Sequence, residues 1–82
     1  MDNLFLYRNG FKYNGCYDSW DKEVIDGTLI IYKKLRESKW VLEYEDVEHY
    51  VHRLMESSNT EDFERKFIEI ERDRKIKYLL GE

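Results

Sequence analysis

Two histidines lie between two glutamates in the middle of this 82-residue chain, in the order Glu45, His49, His52 and Glu56. On a helix, at about 100° per residue, these side chains would fall within about 60° of one another. Imidazole and carboxylate groups on adjacent helical turns are ligands that zinc accepts. The chain has neither an H-E-x-x-H motif nor a C-x-x-C pair, the spacings that make such a site specific. We therefore interpret the four residues as a solvated helix face and expect no metal and no other cofactor.

The sequence does not support a catalytic nucleophile either. Cys16, the only cysteine, lies beside the Asn14-Gly15 turn without a histidine motif, so a small, partly buried apolar role is the simpler interpretation. The four glycines form no phosphate-binding loop. A single cysteine allows no internal disulfide, which favours a reducing compartment and a cytoplasmic location. We expect a protein that is not an enzyme.

Negative charge is concentrated in the middle of the chain. Residues 37–64 hold nine acidic and two basic residues, whereas the whole chain has a formal net charge of −4. Helix N-termini stabilise some of these acids, but a strand would place Glu43 and Glu45 together on one face. A concentrated negative surface attracts a basic protein and repels nucleic acid. We predict an interaction site made of Glu43, Glu45, Asp46, Glu48 and Glu56.

Positive charge does not gather in the same way. Six basic residues follow residue 64, but on a helix they spread around the cylinder and alternate with Glu69, Glu71 and Asp73. A single chain therefore lacks the basic face that nucleic acid requires. The alternative that we retain is a nucleic-acid-associated dimer, in which the basic groups of two copies align.

Turn signals and alternating apolar residues predict two hairpins in the first half. Asn9-Gly10 is typical of a type I′ turn, from which we predict an N-terminal hairpin. Residues 28–35 and 40–45 form the second predicted hairpin. Its expected inner face consists of Leu29, Ile31, Leu35, Trp40, Leu42 and Tyr44.

The segment between the two hairpins is ambiguous. Residues 18–26 are predicted as a short helix or an ordered loop that Asp26-Gly27 ends. Apolar residues at helical spacing support a rival interpretation, a single helix over residues 18–36. Strand character in Leu29-Ile30-Ile31-Tyr32 leads us to favour the second hairpin.

Helical periodicity dominates the second half. Residues 46–57 have apolar side chains at i, i+3, i+4, i+7 and i+8, which predicts an amphipathic helix. After a short turn, Ser58 and Glu61 fit a capping box that starts a last helix ending near Gly81. These two helices would form a C-terminal helical hairpin. The last helix carries a second apolar stripe that could join two copies of the chain, at Ile68, Ile76, Leu79 and Leu80.

These features predict one α+β domain over residues 1–82, a small antiparallel sheet of two hairpins packed by the helical hairpin. A mostly helical fold with one N-terminal hairpin is the alternative. No apolar run approaches the length of a membrane span, so we expect no membrane partner.

The function that we expect is a small acidic protein-interaction module without catalytic activity. The chain has no Ala, Pro or Gln and is rich in Asn, Lys, Ile and Tyr, as small proteins of phages and mobile elements in AT-rich bacteria often are. One version of the hypothesis is therefore a phage or mobile-element inhibitor that binds a basic host protein. The chain resembles small anti-restriction and anti-CRISPR proteins only in size, acidity and predicted order of elements; no motif matches, and we assign it to no family.

Overall fold

The computed structural model describes the backbone of residues 3–79 and the side chains of residues 3–73, which form two helices and a five-stranded sheet. The strands follow one another in the order β1-β2-β3-β4-β5, and each pair of neighbours is antiparallel. The predicted α+β class is confirmed at this level. The elements are α1 (Asn3–Arg8), β1 (Lys12–Asn14), β2 (Ser19–Val24), β3 (Gly27–Lys34), β4 (Lys39–Asp46), β5 (Val51–Ser57) and α2 (Thr60–Leu79).

Alternation along β3 and β4 divides the sheet into two faces. Leu29 and Ile31 of β3 point to the same side as Leu42 of β4, and all three are at most 1% exposed. Both helices pack on this side, which we call the covered face. In the described part of the chain no helix packs on the other side, which we call the open face. Because successive strand residues alternate, most charged side chains of β2 to β5 are directed to the open face, whereas Lys22 and Lys33 lie opposite core residues on the covered face.

Aromatic side chains of α2 close the covered face. Phe63 and Phe67 lie one turn apart and are fully buried. The Phe67 ring lies 5.7 Å from the ring of Phe5 in α1 and 5.5 Å from that of Phe11. Phe67 thus joins the two helices to each other and to the segment that leads into β1.

One charged residue of β2 is enclosed on the covered face. Lys22 lies opposite Leu29 in the β2–β3 register, where an apolar side chain would be expected. Its Nζ donates a hydrogen bond to Glu71 Oε1 of α2 at 2.8 Å, with both side chains mostly buried. Since an unpaired charge there would be costly to desolvate, this ion pair fixes α2 over β2.

The predicted N-terminal hairpin is wrong, because residues 3–8 form α1. Asn9 and Gly10 end this helix instead of turning a hairpin. Gly10 has a positive φ of 86°, and its N–H donates to the carbonyl of Tyr7 while the N–H of Phe11 donates to the carbonyl of Leu6. A glycine in this conformation after a helix is the usual C-terminal cap, which uses the same residue types as a type I′ turn.

The predicted helix over residues 46–57 is also wrong, and the helical hairpin is therefore absent from the described residues. Residues 51–57 form β5, which pairs with β4. The register shifts so that Met55 lies opposite Leu42 and Arg53 opposite Glu43, leaving Leu54 as an extra residue. This bulge allows the consecutive Leu54 and Met55 both to pack against the core, which imitates helical spacing in the sequence.

Most of the segment at 18–26 is the strand β2, Ser19–Val24, between two turns and not a short helix or loop, and the rival helix over residues 18–36 is wrong as well. The strands predicted at residues 28–35 and 40–45 are present as β3 and β4. Leu35, predicted for the inner face, is 76% exposed because it lies in the turn between them.

The last helix is confirmed over Thr60–Leu79, but Asn59 caps it in place of Ser58, and its predicted end near Gly81 lies outside the described residues. The Asn59 Oδ1 accepts a hydrogen bond from the N–H of Asp62 at 3.0 Å. No helix among the described residues is long and apolar enough to cross a membrane.

We expect Phe67→Ala to lower the free energy of unfolding by about 3–5 kcal/mol, because the cavity would lie where both helices meet the sheet. Ile68→Ala is the matched control on the same helix, since Ile68 is 46% exposed. Urea unfolding followed by tryptophan fluorescence would measure both. Equal midpoints for the two variants would contradict this description of the core, and Phe67→Leu offers a milder change if Phe67→Ala does not fold.

Candidate functional site

Two hairpin turns meet at one end of the sheet. The turn between β2 and β3 and the turn between β4 and β5 are neighbours because Gly27, the first residue of β3, pairs with Asp46, the last residue of β4. We call this region, residues 23–26 and 45–51, the acidic tip. It holds five carboxylates and no lysine or arginine.

Close backbone approach fixes the two turns to each other. A Cβ placed on Gly27 would collide with the carbonyl oxygen of Glu45 and would lie 2.8 Å from the Tyr44 ring. The Tyr44 hydroxyl donates a hydrogen bond to the carbonyl of Asp26 at 2.5 Å. Only glycine permits this contact, so Gly27 has a structural reason to be at this position.

Asp46 organises the turn between β4 and β5. Its Oδ1 accepts hydrogen bonds from the N–H groups of Glu48 at 2.9 Å and Tyr50 at 3.0 Å. The backbone N–H of Asp46 donates to the carbonyl of Tyr50, and His49 takes up a positive φ of 69° within the turn. In turns, an aspartate side chain typically accepts hydrogen bonds from backbone N–H groups a few residues further along the chain.

Two histidines contact carboxylates of the tip. The Nε2 of His52 lies 3.0 Å from Asp46 Oδ2, and the Nδ1 of His49 lies 2.8 Å from Glu45 Oε1. The hydrogen bond from His52, together with those from the backbone, lowers the pKa of Asp46 below its usual value. Asp46 therefore remains a carboxylate through the ordinary pH range, and the tip keeps this negative charge.

Exposed apolar side chains accompany the charge at the tip. Ile25 is 82% exposed, Val47 73%, Tyr50 65% and Val51 55%. A groove of about 310 Å³ lies between the turns, with Ile25 and Val47 among its lining residues. Large apolar side chains grouped on a surface are typical of sites that contact another macromolecule.

The five residues predicted as an interaction site divide into two groups. Glu45, Asp46 and Glu48 come together at the acidic tip. Glu43 and Glu56 lie on the open face, towards β5. Glu45 also projects to the open face, two residues along β4 from Glu43, so the two groups adjoin on that strand.

Bases of the chain itself surround Glu43 and Glu56. Glu43 accepts hydrogen bonds from the Tyr32 hydroxyl at 3.0 Å and from Arg53 at 3.4 Å. Arg53 also lies 3.1 Å from Glu56, which has Lys34 and Lys39 at 3.4 Å. Desolvation raises the pKa of Glu56, but the nearby cations Lys34 and Lys39 outweigh it and the net pKa is lowered. These two carboxylates are already neutralised and attract a basic partner much less than the tip does.

The residues considered for metal binding do not share a helix face. His49 and His52 contact different carboxylates, and Glu56 lies at the far end of β5. Among the residues that the structure describes, no group of three or more metal-ligating side chains is close enough to hold an ion. Cys16, expected to be partly buried, is exposed in the turn between β1 and β2.

The predicted self-association stripe is described only at Ile68, which is 46% exposed on α2. The side chains of Ile76 and Leu79, and the whole of Leu80, lie outside the described residues.

Sequence reasoning missed the contribution of the turn between β2 and β3 to the site. Glu23, Ile25 and Asp26 join the tip because of the pairing of β3 with β4. The Asp26-Gly27 turn signal was visible in the sequence, but only the sheet topology places it beside the turn at Asp46.

Replacing Asp46 with Asn should destabilise the protein in a pH-dependent manner. Because the pKa of Asp46 is lowered in the folded chain, its carboxylate contributes stability above the unfolded pKa, and this contribution is lost as the pH falls through the folded pKa. Urea midpoints of the protein and of Asp46→Asn should therefore differ at about pH 6, and the difference should shrink as the pH falls through the lowered pKa of Asp46. Glu48→Gln, in the same turn, is the control, and an equal pH dependence of the two variants would contradict the role of Asp46.

Comparison with protein-family models, with curated proteins and with solved structures found no match for this chain. The function is therefore inferred from the geometry of the site alone.

Proposed function

We propose that this protein is a small, non-catalytic interaction module whose acidic tip binds a basic protein. The observation that carries the proposal is the grouping of five carboxylates with four exposed apolar side chains on two adjoining turns. Opposite charge steers a basic partner towards the tip and favours one orientation. Burial of the apolar side chains supplies most of the affinity once contact is made.

The composition of the tip suits a protein partner better than a nucleic acid. Phosphate groups would be repelled by the carboxylates, whereas Ile25, Val47 and Tyr50 offer the apolar and aromatic contacts that are common in protein interfaces. The nucleic-acid-associated dimer is kept as an outcome of the test. It predicts a shift of DNA or RNA in a gel at low salt, which the present proposal does not.

A finer form of the proposal is an inhibitor of phage or mobile-element origin that occupies a cationic groove on a host protein. Two turns that carry carboxylates side by side would compete there with a phosphate backbone. For this form we expect the captured partner to be a nucleic-acid-binding protein and the complex to exclude its nucleic acid. A partner that binds the tip and its nucleic acid at the same time would contradict the inhibitor form only.

Charge reversal at the tip tests the proposal directly. We expect Glu23→Lys combined with Glu48→Lys to reduce capture of basic proteins from a host lysate at least tenfold, an effect of about 1.4 kcal/mol. Raising the salt concentration should weaken capture by the unmodified protein and leave the residual binding of the variant almost unchanged.

The control for this experiment is Glu37→Lys combined with Glu69→Lys. It changes the net charge by the same amount at exposed positions away from the tip, in the turn between β3 and β4 and on α2. Equal loss of capture by both double variants would show a response to total charge and would refute a specific site. Ile25→Ser with Tyr50→Ser should also abolish capture, because these changes remove apolar area without altering charge.

A further inference from the structure

A second concave site lies on the open face, next to the acidic tip. It has a volume of about 540 Å³ and extends over β2, β3 and β4 below the turn between β1 and β2. Ile30 of β3 forms its apolar floor, and Tyr17 and Tyr32 contribute aromatic rings to its lining. Asp21 of β2 and Glu45 of β4 contribute carboxylates from the two strands that flank β3. We call this site the open-face cleft.

The carboxylates stand on opposite sides of a floor that is one strand wide. Asp21 lies opposite Ile30 in the β2–β3 register, and Glu45 lies opposite Thr28 in the β3–β4 register. Strands that flank a common neighbour are about 10 Å apart, so the two acids border the cleft without touching each other. A ligand that lies over Ile30 and Thr28 would therefore have Asp21 on one side and Glu45 on the other.

The charge of the cleft is not neutralised by its own lining. Asp21 accepts hydrogen bonds from Asn14 Nδ2 at 3.1 Å and from Ser19 Oγ at 3.0 Å, which orient the carboxylate without adding positive charge. Glu45 contacts His49, a side chain that is 85% exposed. No lysine or arginine is among the described residues that line the cleft. Arg53 reaches the border of the cleft, since its Nη2 donates to the Tyr32 hydroxyl at 3.4 Å, but its charge is paired with Glu43 and Glu56 on the β5 side of the face.

The aromatic rings of the cleft favour one class of cationic ligand, a guanidinium group over an ammonium group. Tyr17 is 79% exposed, so its ring is accessible from the solvent, while Tyr32 is held by its hydroxyl, which donates to Glu43. A guanidinium group is planar and weakly hydrated, and it stacks on aromatic faces while its edge donates to carboxylates. An ammonium group is a compact, strongly hydrated charge, so it gains less from contact with a flat apolar surface.

From these contacts we infer that the open-face cleft receives an arginine side chain. As the arginine would belong to the basic protein that the acidic tip binds, this inference rests on the proposed function for its biological partner. The two sites adjoin at Glu45, so one continuous surface could contact both an apolar-basic segment at the tip and an arginine in the cleft.

A small probe tests the cleft without the partner. N-acetyl-arginine methylamide is titrated into the isotopically labelled protein, and backbone amide shifts are followed by NMR. We expect saturable shifts centred on Asp21, Thr28 and Ile30. The citrulline analogue, which has the same shape and no charge, and the lysine analogue should bind at least about fivefold more weakly. An equal response to citrulline or to lysine would overturn the assignment, as would shifts that do not saturate or that lie elsewhere.

Two variants assign the contacts. Asp21→Asn keeps the shape of the side chain and one of the two acceptor oxygens that Asn14 and Ser19 use, and it should weaken binding of the arginine probe about tenfold. Tyr17→Leu should weaken it severalfold. Glu69→Gln removes one carboxylate from α2 and should leave probe binding unchanged. A variant spectrum with dispersed, native-like shifts shows that the chain is folded, so unchanged affinity in folded Asp21→Asn would contradict the proposal.

The two proposals fail separately. Loss of probe binding in Asp21→Asn, together with capture from lysate that does not respond to Glu23→Lys and Glu48→Lys, would support the cleft and refute the tip. Capture that depends on the tip, with no saturable response to the arginine probe, would refute the cleft alone.

Discussion

Burial of Phe67 between α1, Phe11 and the sheet is the contact on which the arrangement of this protein depends. It draws both helices to one face, where Leu29, Ile31 and Leu42 are also buried. A chain of this size has apolar side chains for little more than one such layer. Over the part of the chain that the structure describes, the opposite face therefore has no helix on it and carries the charged and aromatic side chains of the candidate sites.

The one-sided core also explains why some carboxylates are paired with lysine or arginine and those of the acidic tip are not. Where strands β3, β4 and β5 lie side by side on the open face, Lys34, Arg53 and Glu56 approach one another across the sheet and their charges balance. At the acidic tip the chain turns back twice and supplies no lysine or arginine. Negative charge that forms one block in the sequence is thus divided by the topology into a balanced region and an unbalanced one.

Local sequence signals predicted the elements whose patterns are unambiguous. Alternation in β3 and β4 and the ordered charges of α2 agree with the structure, because each pattern suits only one kind of element. Asn9-Gly10 failed as a signal since the same residues cap a helix and turn a hairpin. The bulge at Leu54 produced helical spacing within a strand, which no local rule distinguishes from a helix. The prediction of secondary structure therefore failed where long-range strand pairing decides the element.

The candidate site was predictable only in part for the same reason. Glu45, Asp46 and Glu48 are close in the chain and remain close in space. The partners of Glu43 are Tyr32 and Arg53, which lie on neighbouring strands and could be identified only from the register of three strands. Ile25 joins the tip through the pairing of Gly27 with Asp46, the last pair of the β3–β4 ladder, which brings two separate turns side by side.

The close approach at Gly27 affects the conformational cost and the rate of binding a partner. Since backbone touches backbone there, and Asp46 ties its own turn together, the two loops hold their relative positions before any encounter. Association would forfeit little conformational entropy at these loops. Its rate would then be governed by diffusion in the field of the carboxylates and not by a slow rearrangement of the chain.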